Sequence, residues 1–290
     1  DRVDVLAVGV GSSTMFGGTA VPPLSGQGFF LAQLDPSTHA LGNVVDLAMA
    51  DAPEPRALYG PPSGALVDWH VARLGAATVV AGTALPGAGF GGRPVTVRGP
   101  ADGVVASVAM DGSLDWATPL GGDQFDSLSG IACDETRGSC VAVGWGAIDS
   151  AHPDDAATLD VRAFAADGRM LWAKSALCDH VGLVAGVGSD AAGNAYVVAN
   201  VRGAVDFGDM MRSTTGGSWD IVIASYTARG DLRWVEILGD ASHGTATTAV
   251  ASAVDASGHL AVVAALSPGD TLAGTSATDA HGTLILFADH

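Results

Sequence analysis

Residues 104–122, VVASVAMDGSLDWATPLGG, read as a β-hairpin: an alternating apolar run, an Asp-Gly turn at Asp111 and Gly112, then a second run that carries Trp116 and ends in Gly-Gly. The pattern returns as VRAFAADGRMLWAK from Val161 and as IVIASYTARGDLRWVEILGD from Ile221. Trp116, Trp172 and Trp234 each follow their turn glycine, Gly112, Gly168 and Gly230, by four residues. A degenerate copy, FFLAQLDPST from Phe29, precedes these hairpins and a shortened one, TLILFADH from Thr283, follows them. The corresponding turn positions are Asp35, Asp111, Asp167, Arg229 and Asp289, with spacings of 76, 56, 62 and 60 residues. Periods of this length belong to solenoids, propellers and arrays.

Within each full period four short strands can be read. In the fourth they are LVAGVGS, AYVVANV, IVIASYT and LRWVEIL; in the third, SLSGIAC, CVAVGWG, DVRAFAA and MLWAKSA. The first two of the fourth period are joined by a turn of the form D-x-x-G at Asp190 to Gly193, a form repeated at Asp255 to Gly258. Four antiparallel strands per unit make a propeller blade, which buries both faces against its neighbours, so AYVVANV is almost continuously apolar instead of alternating. The fold expected is all-β: a β-propeller of about five four-stranded units spanning residues 1–290 as one domain. The units fall roughly at 1–63, 64–126, 127–182, 183–246 and 247–290. The three repeat tryptophans are structural in this reading, buried at equivalent positions between adjacent units.

The order D-x-x-G-N-x-Y-V, then DFG, then D-x-x-x-x-x-Y, then G-x-x-x-W, clearest from Asp190 to Trp234, resembles the SBBP-type β-propeller repeat of secreted and cell-surface bacterial proteins. The resemblance implies a propeller, commonly a non-catalytic module of larger extracellular proteins. The third period departs from the pattern, with AIDSAHPDDAATLD in place of the FG loop, and the first lacks its tryptophan. A weaker similarity links the tryptophan spacing to the docking motif of quinoprotein dehydrogenase propellers.

Composition narrows the partners. Forty glycines, 48% hydrophobic and 15% charged residues describe short apolar segments punctuated by turns, with no membrane-spanning run. A formal charge of −18 repels phosphate backbones, which argues against nucleic acid as a partner. Cys133 and Cys140 bracket the turn DETRGS between two apolar runs, an arrangement expected to close a disulfide and to place the protein in an oxidising compartment, extracellular or at a cell surface. Cys178 is left without a cysteine partner.

The loops from a fourth strand to the next unit's first strand are read as GGDQFDSLSG, CDHVG and GDASHG. They gather Asp123, Asp126, Asp179, His180, Asp240 and His243 as candidate binding residues at one rim, where carboxylates favour Ca²⁺ and imidazoles favour transition metals, although the spacing matches no dedicated metal loop. His152, Asp154 and Asp155 form a second acidic cluster read as an exposed loop, and His70 is read as a hydrogen-bonded structural histidine. No G-x-S-x-G elbow, phosphate-binding loop, H-E-x-x-H or paired C-x-x-C occurs, so no catalytic residue is assigned and no cofactor is expected beyond Ca²⁺ at that rim. The function expected is a non-catalytic binding or structural module whose partner is a protein, a glycan or another copy pairing through open strand edges. The alternative is a propeller enzyme, either a quinoprotein-like dehydrogenase or a polysaccharide-acting hydrolase or lyase. By strand count the units hold three, four, four, four and three strands, which predicts either a segment of a longer chain or edge-to-edge assembly.

Overall fold

The computed structural model describes residues 3–10, 14–16, 19–21, 27–35, 37–38, 41–48, 69–90, 93–149, 151, 156–214, 217–239, 246–266, 271–272, 275–276 and 282–288. Among these residues the fold is all-β, with antiparallel sheets and no helix. The chain divides into two compact units, Asp1–Leu128 and Ser129–His290.

The first unit begins with β1 (Val3–Val10), β2 (Thr14–Phe16), β3 (Thr19–Val21), β4 (Gln27–Leu34) and β5 (Leu41–Ala48). β1, β4 and β5 form a three-stranded sheet in that order, and β2 pairs with β3. Then follow β6 (His70–Leu74), β7 (Ala77–Ala84), β8 (Gly89–Phe90), β9 (Arg93–Pro94), β10 (Asp102–Val108) and β11 (Leu114–Leu120). β6, β7, β10 and β11 lie side by side in chain order, a four-stranded meander, while β8 and β9 make a small hairpin of their own. β10 is buried along its whole length, which fits its place between two neighbours. Its first residue, Asp102, is 1% exposed and accepts the main-chain N–H of Arg98 at 2.9 Å, so a carboxylate fixes the entry to the strand.

β12 (Asp126–Asp134), β13 (Ser139–Ala147), β14 (Ala157–Ala165), β15 (Met170–Ser189), β16 (Ala195–Asp206), β17 (Met211–Ser213), β18 (Asp220–Tyr226) and β19 (Leu232–Leu238) make one eight-stranded sheet. β20 (Thr248–Val254), β21 (Leu260–Leu266) and β24 (Gly282–Ala288) make a three-stranded sheet, with β22 (Thr271–Leu272) and β23 (Thr275–Ser276) paired between them in sequence. The eight-stranded sheet contradicts one expectation. MLWAKSA and LVAGVGS, read as separate strands around a CDHVG loop, belong to the single strand β15. Met170–Cys178 pairs with β14 and Leu177–Ser189 with β16, the two ladders overlapping at Leu177 and Cys178, and three register shifts between Cys178 and Gly186 bend the chain within the β16 pairing. CDHVG contains no proline and one glycine, so nothing in it terminates a ladder; the bend is absorbed by bulges.

The continuous apolar run on β16 has a packing cause. Val197, Ala199 and Val201 enter a core with Val222 and Ala224 of β18, whereas Val198 faces a second core with Ile221, Ile223, Leu260 and Val262. Successive side chains point to opposite faces, so a strand covered on both sides must be apolar at every position. Asn200 is the polar exception: its side-chain N–H₂ donates to Leu183 O (3.0 Å) and Ala249 O (2.9 Å), and its Oδ1 accepts Ala249 N–H (2.7 Å). The amide thus copies a strand edge and ties β15, β16 and β20 together.

The three complete hairpins share their geometry. Each closes through a pair of main-chain bonds, Ala109 with Ser113 and Gly112, Ala165 with Arg169 and Gly168, and Thr227 with Asp231 and Gly230. Each turn glycine has φ between 82° and 86°, which an L side chain adopts at a cost. Trp116, Trp172 and Trp234 stand opposite Ser107, Ala163 and Ser225, immediately before the same register shift in each hairpin. The three rings were expected to be buried at equivalent positions; their register is equivalent, but all three are half-buried. They project from strands that are themselves half-exposed, and Trp172 and Trp234 pack against the margins of the two cores while leaving part of each ring outside. Trp172 also covers a neighbouring turn. Its Nε1–H donates to Ala228 O at 3.1 Å, its ring lies 6.0 Å from that of Tyr226, and a Cβ built on Gly230 would sit 2.7 Å from the indole.

The D-x-x-G turns also dock on one another. Ala191 N–H donates to Ala256 O at 2.9 Å, and a Cβ on Gly258 would sit 2.7 Å from the Tyr196 hydroxyl. The Asp190 carboxylate accepts the Asn194 side chain at 2.7 Å, the Asn194 N–H at 2.8 Å and the Tyr196 hydroxyl at 3.0 Å; Arg233 donates to that hydroxyl at 3.1 Å and to Ser225 Oγ at 2.9 Å. D-x-x-G-N-x-Y is therefore a self-satisfying polar knot over the end of β16.

Candidate recognition cleft

Cys133 and Cys140 form the expected disulfide, between β12 and β13, with Cα atoms 4.0 Å apart. Cys178 is fully buried on β15, and burial pushes its thiol up to about 12. A thiol so rarely ionised is a packing group rather than a nucleophile. Among the described residues no helix is long and apolar enough to cross a membrane.

Of the six rim residues expected from sequence, four fall among the described residues. Asp123 is exposed in the segment after β11, in the first compact unit. Asp126 opens β12; it is half-buried and its Oδ2 accepts Gly122 N–H at 3.0 Å, so it closes a turn. Asp240 and His243 lie outside the described residues, as do His152, Asp154 and Asp155. Among the described residues no three His, Cys, Asp or Glu side chains are grouped as a metal ion would require. His70 opens β6 and is half-buried.

Asp179 and His180 do meet in a cleft, although they reach it from the bent middle of β15 instead of from a loop. The cleft is open, about 420 Å³ in volume, and lined by Ala156, Asp179, His180, Arg202, Gly203 and Gly217. Register explains the assembly: His180 stands opposite Arg202 on β16, beside the shift between Cys178 and His180. Asp179 is exposed but anchored, since its Oδ2 accepts Ala204 N–H at 2.8 Å. A Cβ on Gly203 would collide with that carboxylate, and Gly203 also holds φ 87°, so glycine is required there on two counts.

Trp219, just before β18, braces the cleft from beside it. The Arg202 guanidinium lies 5.3 Å from the indole centroid, and the His180 ring meets the same indole edge-on at 6.5 Å. A guanidinium held over an aromatic face has lost most of its freedom before any ligand arrives, and its planar fork of donors stays available. Among the described residues Arg202 has no carboxylate partner. Neither Arg202 nor Trp219 was singled out from sequence. A signal existed for each: Arg202 interrupts the apolar run AYVVANV-R-GAVD in a chain with only 13 basic residues, and Trp219, like Trp69 and Trp145, falls outside the glycine-plus-four register of Trp116, Trp172 and Trp234.

No family model matches this chain, and no curated protein matches it.

Proposed function

We propose that this chain is a non-catalytic β-propeller of about five repeats, secreted or displayed at a cell surface, that binds its partner at the cleft between β15 and β16. One observation carries the reading: the polar groups of the cleft are held by the protein itself, Asp179 by a main-chain N–H and Arg202 by the Trp219 ring, while the cleft stays open. Groups fixed in advance recognise a ligand without the cost of ordering them. The propeller reading is supported by chain-order meanders and by Trp172 of one hairpin covering Gly230 of the next, and the extracellular reading by the disulfide. Binding is favoured over glycoside hydrolysis because, among the described lining residues, Asp179 is the one carboxylate; that chemistry uses two facing one bond.

The test is to immobilise the full chain and screen it against glycan and peptide panels beside the Trp219→Ala variant. Binding by the parent that the variant loses, with the ligand recovered unchanged, is the expected outcome. Ligand captured equally by both proteins would place recognition elsewhere, and turnover of a bound ligand would replace the binding reading with an enzymatic one.

A further inference from the structure

We infer that the cleft takes a short saccharide carrying a single carboxylate, an inference that rests on the binding reading above and names its ligand class. Arg202 supplies the first half of the argument. Its guanidinium is prealigned on Trp219 and without a carboxylate partner among the described residues, so it offers paired, charged N–H donors, the geometry that fits a planar carboxylate. Asp179 supplies the second. One of its oxygens is engaged by Ala204, and a carboxylate can accept several further bonds, so the cleft presents acceptors to a ligand that brings hydroxyl donors. A fully deprotonated inorganic anion such as sulfate has nothing to donate to Asp179, and a neutral sugar has no charge to match Arg202. A sugar acid satisfies both.

Size and charge restrict the ligand further. A volume of about 420 Å³ suits one or two sugar rings, and Gly203 and Gly217 bring bare main chain to the lining, where a ring can approach closely. The net charge of −18 opposes long polyanions, so one acidic group per ligand is favoured over a run of them. Peptides also offer N–H donors, but their recognition by main-chain pairing runs along a strand edge, whereas the polar groups at this lining are the side chains of Asp179, His180 and Arg202.

The experiment is calorimetric titration of the full chain with a disaccharide containing one glucuronic acid, with its neutral methyl ester, and with a glutamate-containing tripeptide. The acid should bind about ten- to a hundredfold more tightly than the ester, the factor expected for charged hydrogen bonds. Arg202→Gln should bring the acid down to the ester's affinity, and Arg202→Lys should keep the charge while losing the paired geometry, falling between the two. The acid-to-ester ratio needs only the parent protein, so a folding defect in a variant does not remove the test. Equal binding of acid and ester, tighter binding of the tripeptide, no binding of the disaccharide, or an Arg202→Gln protein that binds the acid unchanged would each overturn the inference. If a neutral glycan or a protein is instead bound through Trp219 regardless of Arg202, the sugar-acid assignment falls and the binding-module reading stands.

Discussion

Replacing Gly230 with alanine tests whether the repeat tryptophan acts on the next turn. Gly230 has φ 86°, and Trp172 lies over it with the indole 2.7 Å from where a Cβ would be. Two costs should combine. The left-handed backbone alone costs an L-residue about 1–2 kcal/mol. The new methyl must also displace the indole, weakening the Trp172 Nε1–H bond to Ala228, worth about 1 kcal/mol, and its contact with Tyr226, worth about 0.5–1.5 kcal/mol. The expected loss is therefore about 2–4 kcal/mol. Gly208 supplies the control, since it has φ 91° with nothing within 4 Å of a Cβ, so Gly208→Ala should show the backbone cost alone. In a Trp172→Ala background the indole is absent, and Gly230→Ala should fall to the Gly208→Ala value. Urea unfolding followed by fluorescence and circular dichroism reads these differences as midpoint shifts at constant slope. Equal losses for Gly230→Ala and Gly208→Ala, or a Gly230→Ala loss that ignores Trp172→Ala, would show that the tryptophan does not seat on the turn.

Removing the disulfide with paired Cys133→Ala and Cys140→Ala changes, a link across a sequence separation of 7, should lower stability by about 2–3 kcal/mol on the loop-entropy account, measured by urea titration against the parent; an unchanged midpoint would contradict it. Asn200→Leu deletes three bonds and strands the Ala249 amide and two carbonyls in the interior, so a loss of about 3–5 kcal/mol is expected in the same assay, and a neutral result would refute the bridging role. Burial alone would raise the Asp190 carboxyl, but the bonds from Asn194 and Tyr196 outweigh it and hold the carboxyl below its usual value. A group lowered in the folded state stabilises above its unfolded value, about 4, and that contribution is lost as pH falls through the folded value. Thermal midpoints measured down the acid range should therefore fall less steeply in Asp190→Asn than in the parent, and parallel curves would count against the assignment.

Much of the fold was legible in local chemistry. The Asp-Gly and Thr-x-x-Gly turns require left-handed glycine, and a hairpin's period of two places each tryptophan at a fixed register from its turn, so Val104–Gly122, Val161–Lys174 and Ile221–Asp240 could be read as equivalent without any tertiary information. The cysteine pair was legible for the same reason, as two residues flanking one short turn. How far each tryptophan is buried was not, because exposure depends on what lies over the strand and no property of the strand itself encodes that. The cleft marks the same boundary. Asp179 and His180 stand out in the sequence as polar residues between apolar runs, but the sequence alone places them in a loop, since a bulged continuous strand and a five-residue loop have nearly the same sequence signature. Arg202 and Trp219 become partners only when β15, β16 and the segment before β18 are paired in register, bringing residues distant in sequence onto one wall. Hydrophobic alternation and turn chemistry act over a few residues and so determined the strands; the cleft was decided by long-range register, which only the folded chain possesses.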